Sequence, residues 1–139
     1  GSMTTVHANS PRDALRRIEN MVSMAGISYP VRAIREQISS ALDILIHLGR
    51  LTGGRRKVVN MAEITGMESE TICLHDIFKF TQVGVDEYGH ACGYFEACGV
   101  RPYLVDRLKA EGVEIPSDLF RQRILNKAGS AKGKTQEKK

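Results

Sequence analysis

The sequence predicts an α/β domain in which two helices precede a set of antiparallel β-hairpins and further helices close the chain. Three observations point there. Apolar residues recur at helical spacing from Ala14 to Ala25 and again from Val31 to Leu42. Turn residues at Gly53-Gly54 and at Asp86-Glu87-Tyr88-Gly89 each separate two runs of strand character. A β-favouring run, Met3-Thr4-Thr5-Val6-His7-Ala8-Asn9, stands ahead of the first helix without a partner of its own kind. One strand cannot make a parallel sheet, so the domain reads as incomplete without an upstream half.

The first helix has a start signal. Ser10 can cap, Pro11 suits the first helical position, and Asp13 completes a pattern like a capping box. Ala14, Leu15, Ile18, Met21, Val22 and Ala25 form its apolar stripe, and Gly26 stops it. A second helix begins near Pro30 with Val31, Ile34, Ile38, Ala41 and Leu42 on its apolar side. Ile44-Leu45-Ile46 then reads as a buried strand, and Lys57 to Ile64 as its return across Gly53-Gly54. Gly66 to Glu70 is a polar break. In the next strand, Thr71 to Phe80, the residues Ile72, Leu74, Phe78 and Phe80 share one side. Asp76 falls on that same side, which predicts a kink or bulge there. Ala91 to Ala97 runs back after the second turn. A helix from Pro102 to Gly112 buries Leu104, Val105 and Leu108, and Pro116-Ser117-Asp118 restarts a short helix through Leu119, Phe120 and Ile124. The expected division is a body over residues 1–125, with hairpins at about 43–98, and a disordered Lys-rich tail over 126–139.

Composition narrows the function. At 139 residues the chain is the size of one ordinary domain. It has no apolar run long enough to span a membrane and no signal-peptide pattern, so a cytoplasmic location is expected. The pI of about 9.1 suggests an anionic partner until the charges are located. Lys127, Lys132, Lys134, Lys138 and Lys139 against Glu137 account for the whole formal net charge of +4. The body is therefore neutral overall, and no specific nucleic-acid partner is expected. Peripheral membrane contact through the tail stays open, since a lysine near anionic lipid contributes about 1 kcal/mol. Three cysteines give no disulfide framework. Cys92, Cys98 and His90 lack the spacing of a structural zinc site, so no metal is expected.

The stretch that could carry chemistry is Thr4 to Ser10. Two hydroxyls, an imidazole and an amide stand directly before a helix N-terminus, whose free N–H groups favour anions such as a terminal phosphate. From spacing alone the simpler account is favoured: Asn9 and Ser10 cap a helix, and His7 is a surface histidine. No phosphate loop of the G-x-x-x-x-G-K-[ST] type is present, and Gly53-Gly54-Arg55-Arg56-Lys57 reads better as a hairpin turn.

Gly1-Ser2-Met3-Thr4-Thr5-Val6-His7-Ala8-Asn9-Ser10-Pro11-Arg12-Asp13-Ala14-Leu15 resembles the histidine box and following helix of the type II/type IV secretion ATPase superfamily. The resemblance is strongest to the CpaF-type ATPases of Tad/Flp pilus systems. It continues through Pro30 to Ile38, Arg55 to Val58, Ile64 to Glu68, Asp76 to Phe80, Thr81 to Asp86 and Gly99 to Pro102. The resemblance implies the C-terminal portion of a RecA-like P-loop ATPase domain, working in a homo-hexamer that powers secretion or pilus assembly at the inner membrane. It implies ATP and Mg²⁺ as cofactors of the full-length protein and inner-membrane platform proteins as partners. His7 inherits a place near the terminal phosphate, with Thr4, Thr5 and Asn9 as its support. The phosphate loop and Mg²⁺-site carboxylates would lie upstream, so this chain alone is predicted inactive and without a cofactor. Arg12, Arg16, Arg17, Arg32 and Arg35 are candidates for subunit-interface or nucleotide-facing positions. Without a structure, a solvated helix face with local ion pairs is the favoured account of them. The alternative reading of the whole is a non-catalytic interaction module of a pilus or secretion system.

Overall fold

The computed structural model describes residues 1–26 and 28–128. Two helices, α1 (Pro11–Met24) and α2 (Val31–Ala41), lead into four strands: β1 (Ile44–Arg50), β2 (Arg56–Glu68), β3 (Thr71–Val85) and β4 (Ala91–Ala97). A short helix α3 (Leu104–Ala110) and a 3-10 turn at Ser117–Phe120 follow, and β5 (Arg123–Ala128) ends the described chain. The strands form one sheet in chain order, β1-β2-β3-β4-β5. Every neighbouring pair runs antiparallel.

This overturns the RecA-like reading. A RecA-like sheet needs parallel strands joined by helical crossovers, whereas this meander needs only tight turns and one longer connection. The opening run supplies no parallel strand either: residues 1–8 carry no regular structure. The described residues form a small β-rich domain with three short helices.

The pleat sends alternate residues to two cores. Leu15, Ile34 and Ile38 of α1 and α2 pack with Ile64 and Ile72, with Leu45 and Leu74 beside them. Val105 and Phe120 pack with Ile77, flanked by Ile44, Met61, Phe78 and Ile115. Adjacent Ile44 and Leu45 thus serve opposite clusters, as period two requires. The bulge expected at Asp76 is present. Met61 faces Phe78 while Ala62 faces Asp76, leaving Ile77 as the extra residue on β3. One added residue reverses the side on which later residues fall. Ile72 and Leu74 therefore meet α1 and α2, while Phe78 meets Phe120 in the other core. The four residues read as sharing one side are divided by the bulge.

Other differences are local. Gly66 lies at a second bulge inside β2, and the polar break is a tight hairpin at Ser69-Glu70. The helix expected through Ile124 is only the 3-10 turn. Beyond it Arg123–Ala128 pairs with β4, so the strand enters the segment expected to be tail. Residues 129–139 of that tail lie outside the described residues.

Glu63 fastens α3. Its side chain, only 4% exposed, accepts the Tyr103 N–H at 2.9 Å and the Leu104 N–H at 2.8 Å. Those are orphan donors at the start of a helix whose own N-cap side chain makes no bond.

Candidate functional site

Local chemistry sets α1 in place. Ser10 takes the extended backbone of an N-cap and its Oγ accepts the Asp13 N–H at 3.1 Å, with Pro11 in the first turn. Leu15, packed on the sheet, then holds the helix start against β2 and β3. A groove of about 620 Å³ opens there. It is lined by the cap residue Ser10, Arg12 from α1, Asn60 from β2, His75 and Asp76 from β3, and Val100.

Among the described residues one buried side-chain polar atom lacks a mate, and it belongs to this groove. Asn60 Nδ2 donates to Asp76 Oδ1 at 2.8 Å, while Asn60 Oδ1 is buried and has no hydrogen-bond partner among the described residues. The amide orientation is determined by its neighbour, since the reverse flip would set an oxygen against a carboxylate. A buried unpaired acceptor costs about 1–3 kcal/mol, so the groove favours any ligand that donates a hydrogen bond at that point. Arg12 adds a cation at its edge. The Ser10 hydroxyl is already engaged as a helix cap, so the arrangement suits binding better than nucleophilic chemistry.

Across β3 and β4, Lys79 lies 3.4 Å from Glu96, whose Oε1 also accepts from Thr81 Oγ1 at 3.1 Å. Glu96 holds the Lys79 ammonium above its ordinary pKa. Burial pushes the Cys98 thiol up, against a smaller opposing pull from Lys79. That favours the protonated, unreactive thiol.

The candidates from sequence are only partly brought together. Thr4, Thr5, His7 and Asn9 are all exposed on the leading segment. Among the described residues, none of their side chains has a hydrogen bond or ion pair. Arg12 reaches the groove; Arg16 and Arg17 are exposed elsewhere on α1. Arg32 pairs with Glu36 one turn on at 3.0 Å. Arg35 is bound to Glu19 at 2.9 and 3.2 Å and to the Glu70 carbonyl at 2.9 Å, tying α2 to α1 and to the β2–β3 turn. Its pKa is raised, first by the hydrogen bond to Glu19. Among the described residues no group of three or more His, Cys, Asp or Glu side chains could hold a metal. Sequence reasoning missed Asn60 as a site residue. The break in pattern at Asp76, the residue to which Asn60 is bonded, was the available signal.

With this geometry in hand, no family model matches the chain. The chain is similar to two mycobacterial proteins. Both carry the name "Putative conjugal transfer protein", one from Mycobacterium tuberculosis strain CDC 1551 / Oshkosh and one from strain ATCC 25618 / H37Rv. Each is 26% identical over 95 residues, covering 57% of this chain and 26% of the relative. The chain therefore spans about a quarter of the length of the curated relatives it matches. No helix among the described residues is long and apolar enough to cross a membrane.

Proposed function

We propose that this chain is a working part of an ATP-driven motor in a secretion or conjugation system, with the nucleotide-holding residues outside it. The observation that carries this reading is the similarity over 95 residues to proteins named for conjugal transfer. The ordered motifs from Gly1 to Pro102 support the finer version, a CpaF-type hexamer serving Tad/Flp pilus assembly against inner-membrane platform proteins.

In that assembly His7 stands near the terminal phosphate, on a segment that leads directly into α1. The exposure of Thr4, Thr5, His7 and Asn9 suits a surface completed by another part of the motor. ATP and Mg²⁺ belong to the assembled protein. The chain itself contributes Arg12 and the Asn60–Asp76 groove beside the start of α1. It lacks the phosphate-loop pattern that cradles a triphosphate.

Two measurements test this. In the full-length protein, His7→Ala should lower ATP turnover on the order of 100-fold, the usual cost of removing one group that stabilises developing charge. Turnover equal to the unsubstituted protein removes His7 from the mechanism. The chain alone, titrated with millimolar ATP and Mg²⁺, should show no saturable shift. Saturable shifts centred on His7 would mean that the chain holds nucleotide by itself, contrary to the proposal.

A further inference from the structure

Two hairpin tips at one end of the sheet are docked on each other. Ala91 donates its N–H to the Thr52 carbonyl at 2.9 Å. A Cβ on Gly53 would come within 2.4 Å of His90 Cδ2 and 2.9 Å of His90 Cα, so the two turns touch where only glycine fits. Between them lies a cavity of about 260 Å³, lined by Thr52, Arg55, Lys57, Asp86, Tyr88 and His90.

The charges around this cavity do not balance. The register of β1 on β2 sets Arg50 directly opposite Arg56, and like charges in that relation destabilise a sheet. Arg55 and Lys57 flank Arg56. Among the described residues none of these four cations is in an ion pair. Lys57 Nζ stands 5.9 Å from the ring centroids of both Phe80 and Phe95. The aromatic faces hold an ammonium there without cancelling its charge.

The carboxylate lining the cavity is committed elsewhere. Asp86 Oδ1 accepts the N–H groups of Tyr88 at 2.9 Å and His90 at 2.8 Å. Its Oδ2 lies 3.4 Å from His90 Nδ1. Asp86 thus satisfies its own turn and the imidazole beside it, leaving Arg55 and Lys57 as cations facing an open volume.

We propose that this cleft binds a small phosphate-bearing anion, with Arg55 as the planar fork and Lys57 as the point charge. The volume falls below the roughly 300–1,000 Å³ of sites for drug-sized ligands, which suits a phosphomonoester or a phospholipid headgroup better than a nucleotide. Those two sources share the same phosphoryl chemistry, and the test separates them.

The ¹⁵N-labelled chain is titrated with inorganic phosphate at constant ionic strength, and in a second arm is co-sedimented with vesicles of phosphatidic acid or of phosphatidylcholine. Saturable shifts at Thr52, Tyr88 and His90 identify a soluble phosphate ligand. Retention on phosphatidic acid but not on phosphatidylcholine, without shifts from free phosphate, identifies the headgroup. Either response should weaken about tenfold, equivalent to one lost charge-assisted contact, in Lys57→Gln and in the exposed-turn variant Arg55→Gln. Lys109→Gln, on the exposed side of α3, should respond like the unsubstituted chain. The proposal is overturned if neither arm responds, or if the response survives both Lys57→Gln and Arg55→Gln.

Discussion

Replacing Glu63 tests how a seven-residue helix is held on this sheet. Two effects oppose each other at that position. Removing a carboxylate from water costs several kcal/mol even after relaxation, and Glu63 is buried with no cation paired to it among the described residues. Against this stand two charge-assisted hydrogen bonds at 2.8 and 2.9 Å, each contributing about 1.5–3 kcal/mol. The positive end of the α3 dipole adds about 0.5 kcal/mol. Glu63→Ala removes the buried charge but also leaves both N–H groups beside an apolar gap, so a net loss of about 3 kcal/mol is expected.

Glu63→Gln separates the effects. It preserves the shape and one acceptor oxygen but turns an NH₂ group toward the second backbone donor. If capping outweighs desolvation, this variant loses roughly 1.5–3 kcal/mol. Amide exchange across Val105 to Leu108 should then accelerate more than exchange in the centre of β2 and β3. Urea denaturation of the two variants gives the stabilities, and hydrogen exchange gives the location. Should Glu63→Gln prove as stable as the parent or more so, the buried charge would be a burden and the capping argument would be wrong.

Gly93→Ala would place a Cβ 2.2 Å from the Thr81 carbonyl oxygen and 2.7 Å from Phe80 Cζ; because one obstacle is backbone, a loss of about 2–3 kcal/mol is expected by thermal or urea unfolding, and a loss below about 0.5 kcal/mol would show that the β3–β4 ladder yields easily. Asp86 gives a pH-dependent signal. Its carboxyl is held below the ordinary value of 3.8, first by the backbone hydrogen bond from His90. A depressed folded pKa means that the contribution to stability is present above the unfolded value and is lost as pH falls through the folded one. Amide exchange, corrected for its intrinsic pH dependence, should therefore show the Tyr88 and His90 protection weakening below about pH 4, while Asp86→Ala should lack that protection at neutral pH as well. Unchanged protection of both amides down to pH 2 would contradict the role given to the carboxylate.

The parts of this fold that were legible in the sequence depend on near neighbours. Ser10, Pro11 and Asp13 signal the start of α1, and Gly53-Gly54 and Asp86 to Gly89 mark real turns, because the physics of a cap or turn is complete within about four residues. Asp76 marked a bulge because a carboxylate cannot stay on the apolar side of a strand without losing its hydration, so the chain must turn it away. The Ser69-Glu70 hairpin was hidden by the opposite circumstance: Ser69 takes φ 55 without a glycine to advertise it, while Gly66 sits in a bulge rather than a turn. Strand β5 was hidden because Ile124-Leu125 is too short an apolar pattern to outweigh the lysines beyond it. What makes it a strand is the edge of β4, more than 25 residues earlier in the chain. The parallel sheet was inferred from resemblance and from an opening run that found no partner.

The candidate sites follow the same division, and charge shows why. Summed along the chain, the lysines after Leu125 account for the entire net charge of +4, which makes the body look electrostatically bland. A sum discards position. Register brings Arg50 against Arg56 at one end of the sheet and spaces Arg55 and Lys57 around one cavity. Elsewhere Glu19, Asp43 and Asp106 are each committed to an arginine, and Glu63 to a helix cap. A neutral body can therefore carry a local excess of cations strong enough to attract an anion, since screening over about 8 Å at physiological salt isolates that end from acids farther away. The cleft depends on the approach of two turns distant in the chain, the β1–β2 turn that carries Arg55 and the β3–β4 turn that carries Asp86, Tyr88 and His90. No local pattern in the sequence announces that approach, so the basic cleft could be found only once the strands were in place.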